Sequence, residues 1–124
     1  MNMAEETLFT KIINHEIPAD IKYQDDDVTV FADINPRARV HLLVVPTRAI
    51  ASVNDLEDGD ALLIGKLVLT AKKMAEQLGI AADGYRLIFN VGEHGGQAVP
   101  HIHLHLIGGE PLGIGGFLTK AESR

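Results

Sequence analysis

Cysteine is absent from this chain of 124 residues. That excludes disulfide bonds, thiolate zinc sites and a thiol nucleophile. Positive charge is scarce: 11 Lys and Arg stand against 17 Asp and Glu, a formal net charge of −6. A nucleic-acid binder needs clustered cations for the phosphate backbone, so no nucleic acid is expected as a partner. One pocket lined by local dipoles can still hold a single mononucleotide. No apolar run approaches the ~20 residues of a membrane span. Met1–Thr10 carries Glu5 and Glu6 and no basic stretch. The expectation is a soluble, cytoplasmic protein with no membrane partner. Internal repeats, low-complexity segments and linkers are missing as well. Residues 1–124 therefore read as one domain, long enough to bury a core, with 108–124 a glycine-rich tail.

What is present is a mixed helix and strand pattern. Leu8 with Ile12, and Phe9 with Ile13, have the spacing of a short helix, which Pro18 is expected to stop. Ile21–Gln24 and Val28–Asp33 read as a hairpin around the turn Asp25-Asp26-Asp27, and Asn35-Pro36 breaks its second strand. Val40–Val45, apolar apart from His41, reads as a central strand. Asp58 or Asp60 can cap a long helix that runs to about Leu78 and ends at Gly79. Its apolar stripe, with Leu62 and Leu69 added, is wider than one core face requires. Such a helix is either deeply packed or covers both the sheet and a second subunit. Tyr85–Val91 is a further strand, Gly92–Gly96 turns the chain back, and Val99–Ile107 is the last strand. The fold class expected is α+β, an antiparallel sheet of about five strands with one short and one long helix.

The most informative stretch is His101-Ile102-His103-Leu104-His105-Leu106-Ile107. On a strand, side chains alternate between faces. His101, His103 and His105 then share one face, roughly 6.5–7 Å apart, while Ile102, Leu104 and Leu106 enter the core. An imidazole row backed by a core can bind a metal, with His41 or His94 completing the set. The row contains no carboxylate and no polar second shell can be identified, so the metal reading is set aside. The row can also perform nucleophilic catalysis. Neutral imidazole attacks phosphorus, and flanking imidazoles stabilise phosphoryl oxygens or move a proton. The middle residue, His103, is the natural nucleophile because both neighbours can address the same phosphate. His15 reads as an ordinary polar residue, and His94 either as that or as a member of the site.

Weaker signals surround the row. Gly95-Gly96-Gln97 serves either as an anion-binding turn or as a plain hairpin turn. Asn90 either bonds a ligand hydroxyl or ends a strand, and Asp33 either holds a ribose diol or caps a loop.

The run from His101 to Ile107 resembles the motif of the histidine triad (HIT) superfamily. Leu8–Ile13 with Glu16–Ala19, Phe31–Pro36 with His41–Pro46, and Asp83–Leu87 extend the resemblance over nearly the whole chain. Asn90, Gly95-Gly96-Gln97 and Gly108-Gly109 are similar to the branch called histidine triad nucleotide-binding protein. The resemblance implies hydrolysis of a purine nucleoside 5′-phosphoramidate through a covalent nucleotidyl-histidine. His103 would be the nucleophile and His105 a phosphate ligand, with His101 and His41 completing the imidazole network. Asn90, Gln97, Gly96 and the amides near Val99 would position ribose and phosphate, and Asp33 would hold the ribose hydroxyls. Phe9, Ile12, Ile17, Phe31 and Ile34 would line the purine pocket. The ligand would be of AMP or GMP type, no cofactor or metal is implied, and a homodimer is implied, with the sheet continued or packed across it. A dinucleoside polyphosphate hydrolase and a non-catalytic purine-nucleotide-binding protein are the alternatives. Ala98 stands where some relatives carry a serine that contacts the leaving nitrogen, so that contact is absent or supplied by water. Pro100 replaces an aromatic often found before the triad. Gly113–Arg124 lacks the tryptophan of some relatives.

Overall fold

Strict alternation along the central strands gives the sheet two unlike faces. The computed structural model describes residues 6–114. Its strands are β1 (Ile21–Gln24), β2 (Val28–Ala32), β3 (Val40–Pro46), β4 (Tyr85–Phe89) and β5 (Leu104–Gly108). They form one sheet in the order β1-β2-β3-β5-β4, and every pairing is antiparallel. The helices are α1 (Leu8–Ile13) and α2 (Ala61–Gln77). This is the α+β architecture expected from the sequence.

Directly paired residues point to the same face. On one face Val28, Val30, Leu42, Val44, Leu104 and Leu106 pack against Leu67, Ala71, Met74 and Ala75 of α2. On the other, Phe31, Leu43 and Val45 pack against Phe9, Ile12 and Ile13 of α1. His105 pairs with Leu43 and His41 with Ile107, so both imidazoles lie on the α1 face. Six residues of helix cover only part of that face. His41 and His105 lie outside that apolar cluster.

Four local expectations are corrected. First, α1 ends well before Pro18. Asn14 is its C-cap, and His15 follows in the left-handed region with φ 63°. The Glu16 amide reaches back to the Lys11 carbonyl at 2.8 Å, which closes the helix as glycine usually does. Second, the last strand does not begin at Val99. Its ladder starts at Leu104, so His101 and His103 precede it. Val99 and Pro100 stand against a regular start: the His101 amide turns back to the Val99 carbonyl at 2.8 Å. Third, Tyr85–Phe89 stops short of Val91, because Asn90 and Gly92 are drawn into the following loop. Fourth, Asp60 does not cap α2 with its side chain. Its carboxylate instead accepts the Glu57 amide at 2.9 Å and the Arg48 guanidinium at 2.8 Å. The far end of α2 behaves as expected: Gly79 has φ 74° and the Ile80 amide bonds the Ala75 carbonyl, a glycine-terminated helix end.

Gly108 is the last residue of β5 rather than the start of the tail. The expected tail otherwise falls on 109–114, which form no regular element, and on 115–124, outside the described residues. Leu62 and Leu69 project from α2 at 89% and 56% exposure, so the helix does carry more apolar surface than the sheet uses. Among the described residues no helix is long and apolar enough to cross a membrane.

Candidate functional site

Each imidazole of the site is held by groups that dictate where its hydrogen sits. These tautomers follow from the partners, since a carbonyl can only accept and an amide N–H can only donate. His103 places Nδ1 2.7 Å from the His101 carbonyl. Nδ1 must carry the hydrogen, so the lone pair of the neutral ring is on Nε2. His41 places Nδ1 3.0 Å from the Arg37 amide, which donates to it. The His41 hydrogen is therefore on Nε2, 3.0 Å from His105 Nδ1. His105 accepts there and carries its own hydrogen on Nε2. Two adjacent rings thus differ in kind: His103 offers a lone pair and His105 a donor. Their centroids lie 5.0 Å apart, edge to face, closer than a regular strand would hold them.

His101 is fully buried and both its ring nitrogens are taken. Nε2 donates to the Pro46 carbonyl at 2.8 Å, and Nδ1 accepts from the Thr7 hydroxyl at 2.9 Å. Its ring bonds no other imidazole. Its main-chain carbonyl is what reaches His103.

Burial holds all four rings toward the neutral form. It is the largest cause of the lowered pKa of His41, His101 and His103. His105 is pushed down to about 4, first by burial and then by the positive charge that His103 and His41 can carry. Asp33 lies 3.3 Å from His41 Nε2. With His41 kept neutral this contact is a dipolar approach rather than an ion pair.

Asp33, His41 and His105 bring ligand atoms within 4.8 Å of one another, which is the spacing of a metal set. The hydrogen bonding of His41 opposes that use. A metal on Nε2 would move the hydrogen to Nδ1, where it would meet the Arg37 N–H head on.

The residues expected to bind nucleotide divide into three groups. Phe9, Ile12 and Phe31 form a packed apolar cluster, with Ile17 and Val99 against it. Phe9 also stands 5.0 Å from His103 and 5.9 Å from His101, centroid to centroid. Ile34 does not join this cluster. It is 87% exposed, on a turn that Asp33 fixes by accepting the Asn35 amide at 2.8 Å.

Asn90, Gly96 and Gln97 shape the loop ahead of the triad. Asn90 donates to the Gly95 carbonyl at 2.8 Å. Gln97 accepts the Gly92 amide and donates to the carbonyls of Ala51 and Val99. The Gly96 and Gln97 amides are engaged within the turn, on Glu93 and Gly92. Of the two readings of the glycines, the turn is the one these two amides follow.

Sequence reasoning missed Thr7 and the backbone groups of Arg37 and Pro46. A threonine before an apolar helical run is an N-cap signal, and Thr7 does accept the Thr10 amide at 3.1 Å. Its bond to a residue 94 positions away has no local signature. A groove of about 430 Å³ lies between Tyr23 and the Lys66, Leu69 and Lys73 side of α2. None of the imidazoles lines it.

A HIT domain model matches residues 14–112. The chain is 57% identical over 111 residues to the purine nucleoside phosphoramidase of Escherichia coli (strain K12), covering 90% of this chain and 93% of that protein. The crystal structure of a HIT family hydrolase from Legionella pneumophila superposes with a TM-score of 0.86 at 45% identity, over 87% of this chain and 96% of that one. A histidine triad nucleotide-binding protein from Candida albicans gives a TM-score of 0.77 at 29% identity, over 89% and 82% of the two chains.

Proposed function

The chain belongs to the HIT domain family, and from that premise we propose that it is a hydrolase of purine nucleoside 5′-phosphoramidates, acting through a covalent nucleotidyl-histidine. The observation that carries this reading is the opposed hydrogen bonding of the two rings, from which their tautomers follow. His103 Nδ1–H is tied to a carbonyl, so Nε2 is the nucleophilic atom. His105 Nδ1 accepts from His41, so His105 Nε2–H is a donor for a non-bridging phosphoryl oxygen.

In the first step the His103 Nε2 lone pair attacks the α-phosphorus, and a new N–P bond forms as the substrate P–N bond breaks. The departing nitrogen takes a proton from water and leaves as an amine. In the second step water attacks the same phosphorus, the histidine N–P bond breaks, and a proton returns to solvent. A nucleoside monophosphate is released. The His101 carbonyl supports the positive charge that His103 acquires while phosphorylated, through the Nδ1–H it already accepts.

The apolar cluster of Phe9, Ile12 and Phe31 with Ile17 supplies the floor for the flat base, without Ile34. Asp33, next to His41, is the acceptor for the ribose hydroxyls. Asn90 and Gln97 shape the phosphate side by holding the 90–99 loop. Cytoplasm is the compartment we propose, from the nucleotide nature of the substrate.

We also propose a homodimer. β4 is an edge strand whose five residues are only half-buried, and unpaired strand edges are normally covered. Leu62, Val68 and Leu69 add exposed apolar surface on α2.

The catalytic reading is tested by rapid quench with an adenosine phosphoramidate. A nucleotidyl adduct should map to His103, and His103→Ala should lower kcat by at least ~10²-fold. An adduct on another residue, or a variant as fast as the parent, would remove His103 from this role. Faster turnover of a dinucleoside polyphosphate than of the phosphoramidate would overturn the substrate class.

A further inference from the structure

Thr7 is the N-cap of α1, in a capping box with Thr10. Its hydroxyl accepts the Thr10 amide at 3.1 Å, and the Thr10 hydroxyl accepts the Thr7 amide at 3.3 Å. Thr7 Oγ1 also lies 3.3 Å from Thr10 Oγ1, and because His101 Nδ1 can only accept, the Thr10 hydroxyl donates there and leaves Thr7 its own hydrogen. That hydrogen points at His101 Nδ1, 2.9 Å away. One side chain therefore does two unrelated things, and only the second concerns the site.

His101 lies ahead of the β5 ladder, so the sheet does not hold its main chain directly. Its fully buried ring is clamped from both ends, by Thr7 and by the Pro46 carbonyl at the end of β3. The main-chain carbonyl of the same residue accepts His103 Nδ1–H at 2.7 Å. A shift of residue 101 moves that acceptor and lets the His103 ring turn about its side-chain bonds.

We propose that Thr7 is a positioning residue for the reaction, its hydroxyl locking His101 in place and through the His101 carbonyl aiming His103 Nε2. This rests on the assignment of His103 as nucleophile. Thr7 touches neither the substrate nor the reacting atoms. The lock also joins α1, which carries Phe9 and Ile12 of the base floor, to the nucleophile. Displacing the helix and misaiming the imidazole become one event.

Three variants test the lock; Thr7→Val also removes the cap acceptor of the Thr10 amide, so its separation from the cap rests on the His103 Nδ1–H signal read beside kcat. Thr7→Ser keeps the hydroxyl. Thr7→Val keeps the volume, which excludes a replacement water, and removes the donor. Thr10→Ala breaks the other half of the capping box and leaves the Thr7–His101 bond in place. On an adenosine phosphoramidate, kcat of Thr7→Val should fall about tenfold or more with KM within about threefold, because a displacement of an ångström can cost that much. Thr7→Ser and Thr10→Ala should stay within about threefold of the parent.

An activity-independent readout comes from imidazole nitrogen NMR at pH 7.5. In the parent, His101 should show its hydrogen on Nε2 and an acceptor at Nδ1. The hydrogen-bonded Nδ1–H signal of His103 should shift or broaden in Thr7→Val and not in Thr10→Ala. Parental kcat in Thr7→Val would overturn the proposal. So would an equal loss in Thr10→Ala, or a parent His101 with its hydrogen on Nδ1. A parent inactive on the phosphoramidate but with both NMR signatures as stated would instead overturn the catalytic reading and uphold the lock.

Discussion

At the scale of the residue, the chemistry depends on where four hydrogens sit. A histidine in water divides its hydrogen between two nitrogens. Here His103 has no such choice, because a carbonyl faces Nδ1, and His41 has none because an amide N–H faces its Nδ1. As the proposed nucleophile, His103 must also be neutral. Burial lowers the His103 pKa from its ordinary value of 6.5, opposed by the His101 carbonyl and by Asp33. The sign follows directly: the reactive form is present above the folded-state pKa and is lost as pH falls through it. The acid limb of kcat/KM, which reports the free enzyme, should therefore lie below pH 6.5. His105 at about 4 stays a neutral donor over the same range. A kcat/KM profile already halved at pH 6.5 or above would contradict the burial argument for His103.

At the scale of the element, the loop between β4 and the triad shows how backbone geometry supports a site. A Cβ on Gly95 would lie 2.3 Å from the Val91 carbonyl oxygen and 2.8 Å from the Val91 nitrogen. Both are main-chain atoms, so the loop itself must move. The same loop carries the Asn90–Gly95 and Gln97–Gly92 bonds. Gly95→Ala should destabilise the protein by about 1–3 kcal/mol, as overpacking does, seen as a lower urea midpoint. It should lower kcat/KM about tenfold or more. A parental midpoint would mean that the loop accommodates the methyl group without strain. The element scale is also where several sequence expectations gave way. Pro18 was an evident helix breaker, but His15 in the left-handed region ended α1 first. Alternation from His101 to Ile107 was real, yet only Leu104–Gly108 entered the ladder. Periodicity reports which way side chains point and says less about where hydrogen bonding begins.

At the scale of the molecule, the sheet divides the labour. One face, sealed by α2, is core. The other is shared between α1 and the imidazoles, and Phe9 of the apolar cluster meets His103 where the two adjoin. The edge strand β4 is where the proposed second copy would pair, while Leu62 and Leu69 face the groove beside Tyr23 at the opposite edge, β1. Light scattering should give twice the chain mass at micromolar concentration. A monomeric mass at about 100 μM would rule out a stable dimer, whose interface typically buries more than about 1,000 Å².

Much of this protein was legible in the order of its residues. The α+β class, the five strands and the apolar grouping of Phe9 with Phe31 rest on local pattern, and the proposal of His103 as nucleophile starts from the same pattern. Alternation and helical spacing are properties of neighbours, and neighbours are what a sequence displays. The tertiary structure alone assigned each hydrogen. Thr7 meets His101 across 94 positions, Pro46 meets it across 55, and His41 meets His105 across 64. Those partners are a helix cap, a strand carbonyl and a ring on the adjacent strand. Folding brings them into contact, and their donor or acceptor character then decides which nitrogen can react.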